Sequence, residues 1–301
     1  MDRYLDVRVE VAAALATGRP VVALETTVFA HGLPHPSNLE AARAMEKAVR
    51  EEGAVPATIG LLRGRAVVGL TPDEIEELAV GLHVAKVSVR DIAPLIASRM
   101  PGATTVAGTA ALARAASISV VATGGIGGVH RGGEASLDVS ADLQELAEAA
   151  IAVVCAGAKS VLDLERTLET LETLGVPVIG FGTDEFPAFY SADSGLPLEH
   201  RADTPREVAT VLEVQRALKR RQGVLVVQPP PPEAAIPLAE VEKWVATALE
   251  EAARSGTSGK RLTPYLLDSV KRSSGGRSLA TNLALLESNA RLAARVAREL
   301  L

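Results

Sequence analysis

Aromatic side chains are scarce in this chain of 301 residues: one Trp, three Tyr and four Phe, only 3% of the total. A core built without them must be packed from Ala, Val, Leu and Ile. These carry most of the 48% hydrophobic content and suit packing between helices and parallel strands, which favours an α/β architecture. Cysteine is scarcer still: Cys155 is the only one, so no internal disulfide can form. The sequence shows no charged-then-apolar leader and no apolar run long enough to cross a bilayer, so a soluble, cytoplasmic protein with no membrane partner is expected. A basic surplus is also lacking. Thirty-one Lys and Arg face 37 Asp and Glu, for a net charge of −6. That argues against a nucleic-acid partner, because neutralising a phosphate backbone needs a broad basic surface. A small anionic ligand would need only a local site.

Apolar runs alternate with amphipathic stretches. Val21–Leu24, Ala57–Leu62, Val84–Val89, Ile118–Ala122, Ile151–Cys155, Val176–Ile179 and Val224–Val227 read as buried strands. Ser37 with Glu40, Thr71 with Pro72 and Glu74, and Thr204 with Pro205 and Glu207 have the spacing of reciprocal helix caps. Leu61 to Val68 reads as two strands around a tight turn, which adds antiparallel pairing and makes the sheet mixed. The prolines after Gln228 end the last strand. The helices beyond them, at 237–254, 264–273 and 278–301, carry no strands and must pack back onto the body. The chain therefore reads as one domain, 1–301, rather than two joined by a proline linker.

Lysine is the rarer base, seven against 24 arginines, and two lysines sit in apolar surroundings. Lys86 lies within His83-Val84-Ala85-Lys86-Val87-Ser88-Val89, and Lys159 follows Ile151 to Ala158. Burial disfavours the ammonium form, and a neutral amine is the requirement for Schiff-base chemistry. The alternative is a side chain that snorkels to water or a carboxylate. Glu25 closes Val21-Val22-Ala23-Leu24 and stands where ligands bind, beyond the carboxyl end of a strand. There a desolvated carboxyl can hold a proton, or pair with a lysine instead. His31 and His35 read as surface loop residues.

Ala122-Thr123-Gly124-Gly125-Ile126-Gly127-Gly128-Val129-His130-Arg131-Gly132-Gly133 is too glycine-rich for regular structure. It fits either a phosphate cradle, with Thr123, His130 and Arg131 as donors, or a plain surface loop. His130 stands where the third glycine of a dinucleotide fingerprint belongs, so that motif fails. Ser255 to Arg261 fails as a nucleotide loop because Arg254 replaces its first glycine. In Ser136 to Leu143, Ser140 caps a helix, Asp142 complements its dipole, and Asp138 is freer to point into a site. One carboxylate plus waters suits Mg²⁺ or Mn²⁺ rather than zinc. Phe181, Phe186, Phe189 and Tyr190 cluster within ten residues and read as a subunit interface or a lid.

Taken in order, several motifs resemble the pseudouridine-5'-phosphate glycosidase family, also called indigoidine synthase A-like. They are Ala23 to Thr27 with His31-Gly32-Leu33-Pro34, Ala122 to His130, Asp138 to Leu143, Val154 to Ser160, and Pro187 to Tyr190 with Ser194-Gly195-Leu196. Gly259-Lys260, Thr263 to Leu267, Gly275-Gly276 and Ser278 to Asn282 carry the likeness to nearly full length. The resemblance implies α/β/α layers around a mixed, mostly parallel sheet, a homotrimer, and a divalent metal, usually manganese. It also implies reversible cleavage of pseudouridine 5'-phosphate to uracil and ribose 5-phosphate. By position it puts the nucleophile on Lys159, the proton donor on Glu25 and the metal on Asp138. Substrate binding falls to Lys86, Val106 and Ser140-Ala141-Asp142, with Thr123, His130 and Asn282 as further candidates. One departure is visible: Gln228-Pro229-Pro230-Pro231 stands where the family more usually has Asn-Pro, an apolar residue and Pro.

Two rivals remain. A lysine Schiff-base aldolase acting on a phosphosugar shares the amine and phosphate logic but releases no uracil. A non-catalytic phosphosugar-binding module would tolerate Lys159→Ala.

Overall fold

The computed structural model describes residues 3–132, 137–257, 259 and 262–300. Gly133, Ser136, Ser258, Lys260 and Arg261, which belong to segments singled out above, lie outside them.

Eleven strands form one sheet: β1 (Leu5–Val7), β2 (Val21–Leu24), β3 (Val55–Leu62), β4 (Arg65–Val68), β5 (Ala85–Val87), β6 (Gly102–Thr104), β7 (Val120–Ala122), β9 (Ala152–Cys155), β11 (Val178–Phe181), β12 (His200–Ala202) and β13 (Val224–Val227). The remaining two, β8 (Val129–His130) and β10 (Leu162–Asp163), make a short antiparallel pair. The spatial order is β1-β4-β3-β2-β7-β9-β13-β11-β12, with β6 joining β3 to β5. The pairings β2–β3, β2–β7, β7–β9, β9–β13 and β11–β13 are all parallel. Only β3–β4 and β3–β6 run antiparallel within this sheet, so it is mixed and mostly parallel.

Every residue of β2, β3, β9 and β13 is buried. Strands buried on both faces need cover on both, which gives the three-layer α/β/α arrangement. The helix Arg277–Glu299 packs on β2, β7 and β9, while the helix Val106–Ala115 packs on β2, β3 and β7. One hydrophobic cluster runs from Val11 to Ala297, so the helices after the prolines do return to the sheet. Among the described residues no helix is long and apolar enough to cross a membrane.

The hairpin at 61–68 forms, with Leu62 opposite Arg65. Thr71 with Glu74 and Thr204 with Glu207 make reciprocal caps, each worth about 1 kcal/mol. Ser37 does not cap. It is already helical, because the carbonyls of Pro34 and Pro36 take the N–H groups of Asn38 and Glu40. The apolar run at 84–89 yields a strand of only three residues. Ser88 leaves it to begin the helix Val89–Ala97, its N–H bonded to Asp91 Oδ2 at 3.1 Å. β1, β6 and β12, three residues each, were not expected from the sequence.

Candidate active site

β2, β7 and β9 lie side by side and end together, with Leu24 in register with Ala122 and Ala122 with Val154. The residues that leave their carboxyl ends are therefore brought to one place, the usual site of ligands in such sheets. Glu25 leaves β2, Thr123 leaves β7, and the turn from Ala156 to Lys159 leaves β9. The last two segments continue side by side beyond the strands. Thr123 N–H donates to the Val154 carbonyl, Ala156 N–H to Gly124, Ile126 N–H to Gly157, and Lys159 N–H to Ile126. The glycine-rich loop is a hydrogen-bonded extension of the sheet.

Its glycines make room for neighbouring side chains. A Cβ on Gly125 would meet the Phe189 ring at 2.6 Å, one on Gly127 the Ser140 hydroxyl at 2.3 Å, and one on Gly128 the Thr167 hydroxyl at 2.3 Å. The expected phosphate donors are partly spent. Arg131 is paired with Glu242 and donates to the carbonyls of Ser160 and Leu162. Thr123 is fully buried and gives its hydroxyl to Glu25 at 2.5 Å. Of the three, only His130 reaches the cavity wall, and Thr123, named above for substrate binding, lies behind it as a partner of Glu25.

The cavity, about 610 Å³, suits a nucleotide-sized ligand. Glu25, Lys86, Val106, His130, Asp138, Ser140, Ala141, Asp142, Lys159 and Asn282 all line it, which brings together the site residues that the family resemblance implies, Thr123 apart. A larger hollow, about 1090 Å³, runs beside β11 and β12 and contains neither of these lysines nor Glu25, so size does not choose the site.

Glu25 is 5% exposed. Burial pushes its pKa above the ordinary carboxyl value, against the opposing pull of the Lys159 charge, the Thr123 hydrogen bond and Lys86; Asp142 pushes the same way as burial. Such a group holds a proton toward neutral pH and can deliver it. The following residue anchors the turn: Thr26 donates its hydroxyl to the Ile59 carbonyl at 2.9 Å and accepts from Thr104 N–H at 2.6 Å. Lys159 is partly buried, and its Nζ donates to the Gly125 carbonyl at 2.5 Å. Lys86 stands in the middle of β5, opposite Ala103 of β6.

Asp142 accepts from the N–H groups of Ala107 and Gly127 at 2.9 and 2.7 Å, so it ties the helix Val106–Ala115 to the glycine loop. Ser140 accepts from the N–H of Asp142 and caps the helix Ala141–Leu146 as expected. His130 and His31 are both held below the ordinary imidazole value, first by burial and then by Lys86; Asp138 opposes this at His130, and a hydrogen bond with the Ala85 backbone opposes it at His31. Both are neutral at pH 7. His31 therefore belongs to the cavity rather than the surface, whereas His35 is exposed. Cys155 is buried next to the site, and burial pushes its thiol up to about 12, which excludes a thiolate nucleophile.

Asp138 lines the cavity, and among the described residues no three His, Cys, Asp or Glu side chains gather as a metal cluster. A single carboxylate fits a hard cation that completes its shell with water and substrate oxygens, as Mg²⁺ and Mn²⁺ do, and does not fit zinc.

The aromatic segment is corrected. Phe186, Phe189 and Tyr190 are at most 3% exposed within the chain itself, so they form core rather than an interface or lid. Phe189, with φ 62°, lies against Gly125 and forms part of the cavity wall. Sequence reasoning also missed Thr263 and Leu267 as lining residues, and Asn289 below the site. The run of aromatics was a usable signal for Phe189, and the motif from Thr263 to Leu267 for the other two lining residues; Asn289 sits in an ordinary amphipathic helix and gave none.

The family model described as "Indigoidine synthase A like protein" matches residues 10–299. A Rhodospirillum centenum protein named pseudouridine-5'-phosphate glycosidase is 55% identical, covering 99% of this chain and 92% of that protein. A Deinococcus radiodurans protein of the same name is 53% identical, covering 99% and 96%. Among solved structures, the prealnumycin C-glycosynthase AlnA in complex with ribulose 5-phosphate is similar with a TM-score of 0.92 and 42% identity, covering 100% of this chain and 98% of that one. An indigoidine synthase A-like protein from Thermotoga maritima gives a TM-score of 0.90 at 39% identity, covering 99% and 96%.

Proposed function

This chain belongs to the indigoidine synthase A-like family, and from that premise we propose that it is an enzyme that reversibly cleaves pseudouridine 5'-phosphate to uracil and ribose 5-phosphate through a covalent adduct on Lys159. The observation that carries the reading is one cavity holding a lysine amine against the Gly125 carbonyl beside a buried carboxyl whose pKa burial has raised. The names of relatives at about half identity over full length support the substrate. The ribulose 5-phosphate bound by AlnA supports a five-carbon sugar phosphate in this place.

In pseudouridine the base is joined through carbon, so protonating a leaving oxygen, the ordinary glycosidase route, is closed. Glu25 gives its proton to the ribose ring oxygen as the C1'–O bond opens, and the deprotonated amine of Lys159 forms the C1'–N bond. Glu25, now ionised, takes a proton from the new C1' ammonium and passes it to uracil C5, and it recovers a proton from the water that later adds. The nitrogen lone pair forms the iminium as the C1'–C5 bond breaks, and that bond's electrons restore the uracil ring. Water adds to the iminium, and ribose 5-phosphate leaves with the amine regenerated. Lys86 and the N-terminal end of the helix Val106–Ala115, both in the cavity wall, attract the phosphate. His130, Ser140, Ala141, Asp142 and Asn282 complete the substrate walls. Asp138 would hold a divalent cation, manganese by the family resemblance, which neutralises anionic oxygens when bound. A homotrimer in the cytoplasm completes the reading, and sedimentation of the purified protein tests the assembly.

The deciding experiment is borohydride reduction in the presence of ribose 5-phosphate, followed by peptide mass mapping, with free uracil assayed in parallel. A reduced adduct on Lys159, together with uracil release that Lys159→Ala abolishes, is expected. An adduct without uracil indicates an aldolase-type enzyme, and no adduct at Lys159 ends the covalent mechanism.

A further inference from the structure

Asn289 lies on the buried face of the helix Arg277–Glu299, 1% exposed and outside the cavity wall. Its Nδ2 donates to the Thr123 carbonyl at 2.8 Å and to the Gly124 carbonyl at 3.4 Å. Its Oδ1 accepts from Gln228 Nε2 at 2.8 Å. A primary amide has one donor end and one acceptor end. Turning Asn289 over would set its oxygen against two backbone carbonyls, which only accept, so these fix its orientation, and the Gln228 amide turns its NH₂ toward the Asn289 oxygen to match. Gln228 itself stands just past β13, its N–H bonded to the Cys155 carbonyl, and its Nε2 also reaches Ser288 Oγ at 3.3 Å.

Successive groups of the loop then serve the two reacting side chains. Thr123 is held at its N–H by Val154 and at its carbonyl by Asn289, and its hydroxyl meets Glu25. The Gly124 carbonyl takes Ala156 N–H at 2.9 Å as well as Asn289. The next carbonyl, that of Gly125, accepts from Lys159 Nζ. The peptide that carries it is held on its other side, where Ile126 N–H donates to the Gly157 carbonyl at 3.1 Å. A buried carbonyl stripped of its donor is unfavourable, so the loop would rotate to find another.

We propose that Gln228 and Asn289 are a positioning pair: Asn289 holds the Thr123–Gly124 backbone where Thr123 presents its hydroxyl to Glu25, next to the Gly125 carbonyl that accepts from Lys159, and Gln228 supplies the donor that the buried Asn289 oxygen needs. The inference rests on the reading of Glu25 and Lys159 as the reacting groups. The role requires an N–H donor of this reach at position 228, and so it gives a function to the residue that departs from the family pattern.

The test compares wild type with N289A, Q228M and Q228E; Met keeps bulk without a donor, and Glu keeps shape but offers only acceptors when ionised. For uracil release, kcat is expected to fall about 100-fold in N289A and about tenfold in both Gln228 variants, with KM within about twofold, because displacement of reacting groups is costly and neither residue touches the cavity. The pH limb governed by Glu25 should move upward as the Thr123 hydroxyl withdraws. The charged groups around Glu25, namely Lys159, Asp142 and Lys86, are the same in N289A and Q228M, whose limbs decide; Q228E adds a charge of its own and is read by kcat alone. A merely structural pair would lower melting temperature and leave that limb in place. Titration of the Glu25 carboxyl by ¹³C NMR reads the same shift without turnover. It therefore tests the pair even if wild type releases no uracil, a result that would count against the substrate and not against the pair. Should N289A fail to fold, Q228M decides. Unchanged kcat and an unmoved Glu25 titration in the folded variants overturn the proposal.

Discussion

Thr123 and Glu25 leave the ends of adjacent parallel strands, and the hydroxyl of the first donates to the carboxylate of the second across 2.5 Å. That bond stabilises the ionised form of Glu25, while the Asp142 charge destabilises it. The two neighbours therefore move the same proton in opposite directions.

Thr123→Val should raise the Glu25 pKa further, and Asp142→Asn should lower it. If Glu25 donates its proton in the first step, the alkaline limb of the kcat/KM profile belongs to it. That limb is expected to shift to higher pH in T123V and to lower pH in D142N, each with a rate loss of about tenfold or more at the optimum. A pH–rate profile of uracil release checks both. D142N should also cost stability, about 1–3 kcal/mol, because an amide cannot accept from both Ala107 and Gly127 N–H in the same geometry.

Glu25→Gln separates stability from activity. The folded pKa of Glu25 is raised, so its contribution to stability is fully present below the unfolded carboxyl value and is lost as pH rises through the folded value. The Gln variant does not ionise. It is expected to be inactive yet to melt about 2 °C or more above wild type at pH 8, with the difference vanishing toward pH 4. Thermal melts across that range measure it, and a constant difference at all pH values would contradict the assignment.

Gly125→Ala tests the close approach of Phe189. The added Cβ would sit 2.6 Å from that ring and 3.0 Å from the Gly157 carbonyl, which should cost about 1–3 kcal/mol of stability and shift the carbonyl that Lys159 uses. Phe189→Ala should cost about 3–5 kcal/mol alone. The double variant is expected to lose less than the sum, since the ring is then no longer in the way. Denaturant unfolding of the four proteins gives the coupling.

Asp138→Asn tests the cation. Chelation by EDTA should remove activity and Mn²⁺ restore it, and the Asn variant should need about tenfold or more Mn²⁺ for half-activation, because an amide oxygen carries no charge. Activity against free Mn²⁺ concentration measures this. Unchanged activity after exhaustive chelation would remove Asp138 from that role.

Much of the frame was legible because long buried strands announce themselves. β2 and β13 begin and end where their apolar runs do, and the β3–β4 hairpin and two of the three expected caps form. β1, β6 and β12 could not be read, since Leu5-Asp6-Val7, Gly102-Ala103-Thr104 and His200-Arg201-Ala202 form no apolar run, unlike the equally short β5 and β7. Glu25 and Lys159 were visible as polar side chains at the ends of apolar runs. What surrounds them was not. Whether a glycine faces a phosphate or an aromatic ring depends on which distant segment is laid over it, and Phe189 and Ser140 are far along the chain from the glycines that they press against. Ser37 failed as a cap because the backbone carbonyls ahead of it had already satisfied the helix start.

The long helix Arg277–Glu299 reaches back across 166 positions of sequence to hold the Thr123 carbonyl. Assembly of the glycine-rich loop must therefore wait for the last helix to dock. Loop closure over such separations is slow, so secondary structure should be regained before activity on dilution from denaturant. A chain cut before Arg277 should have its sheet residues present and its loop unanchored.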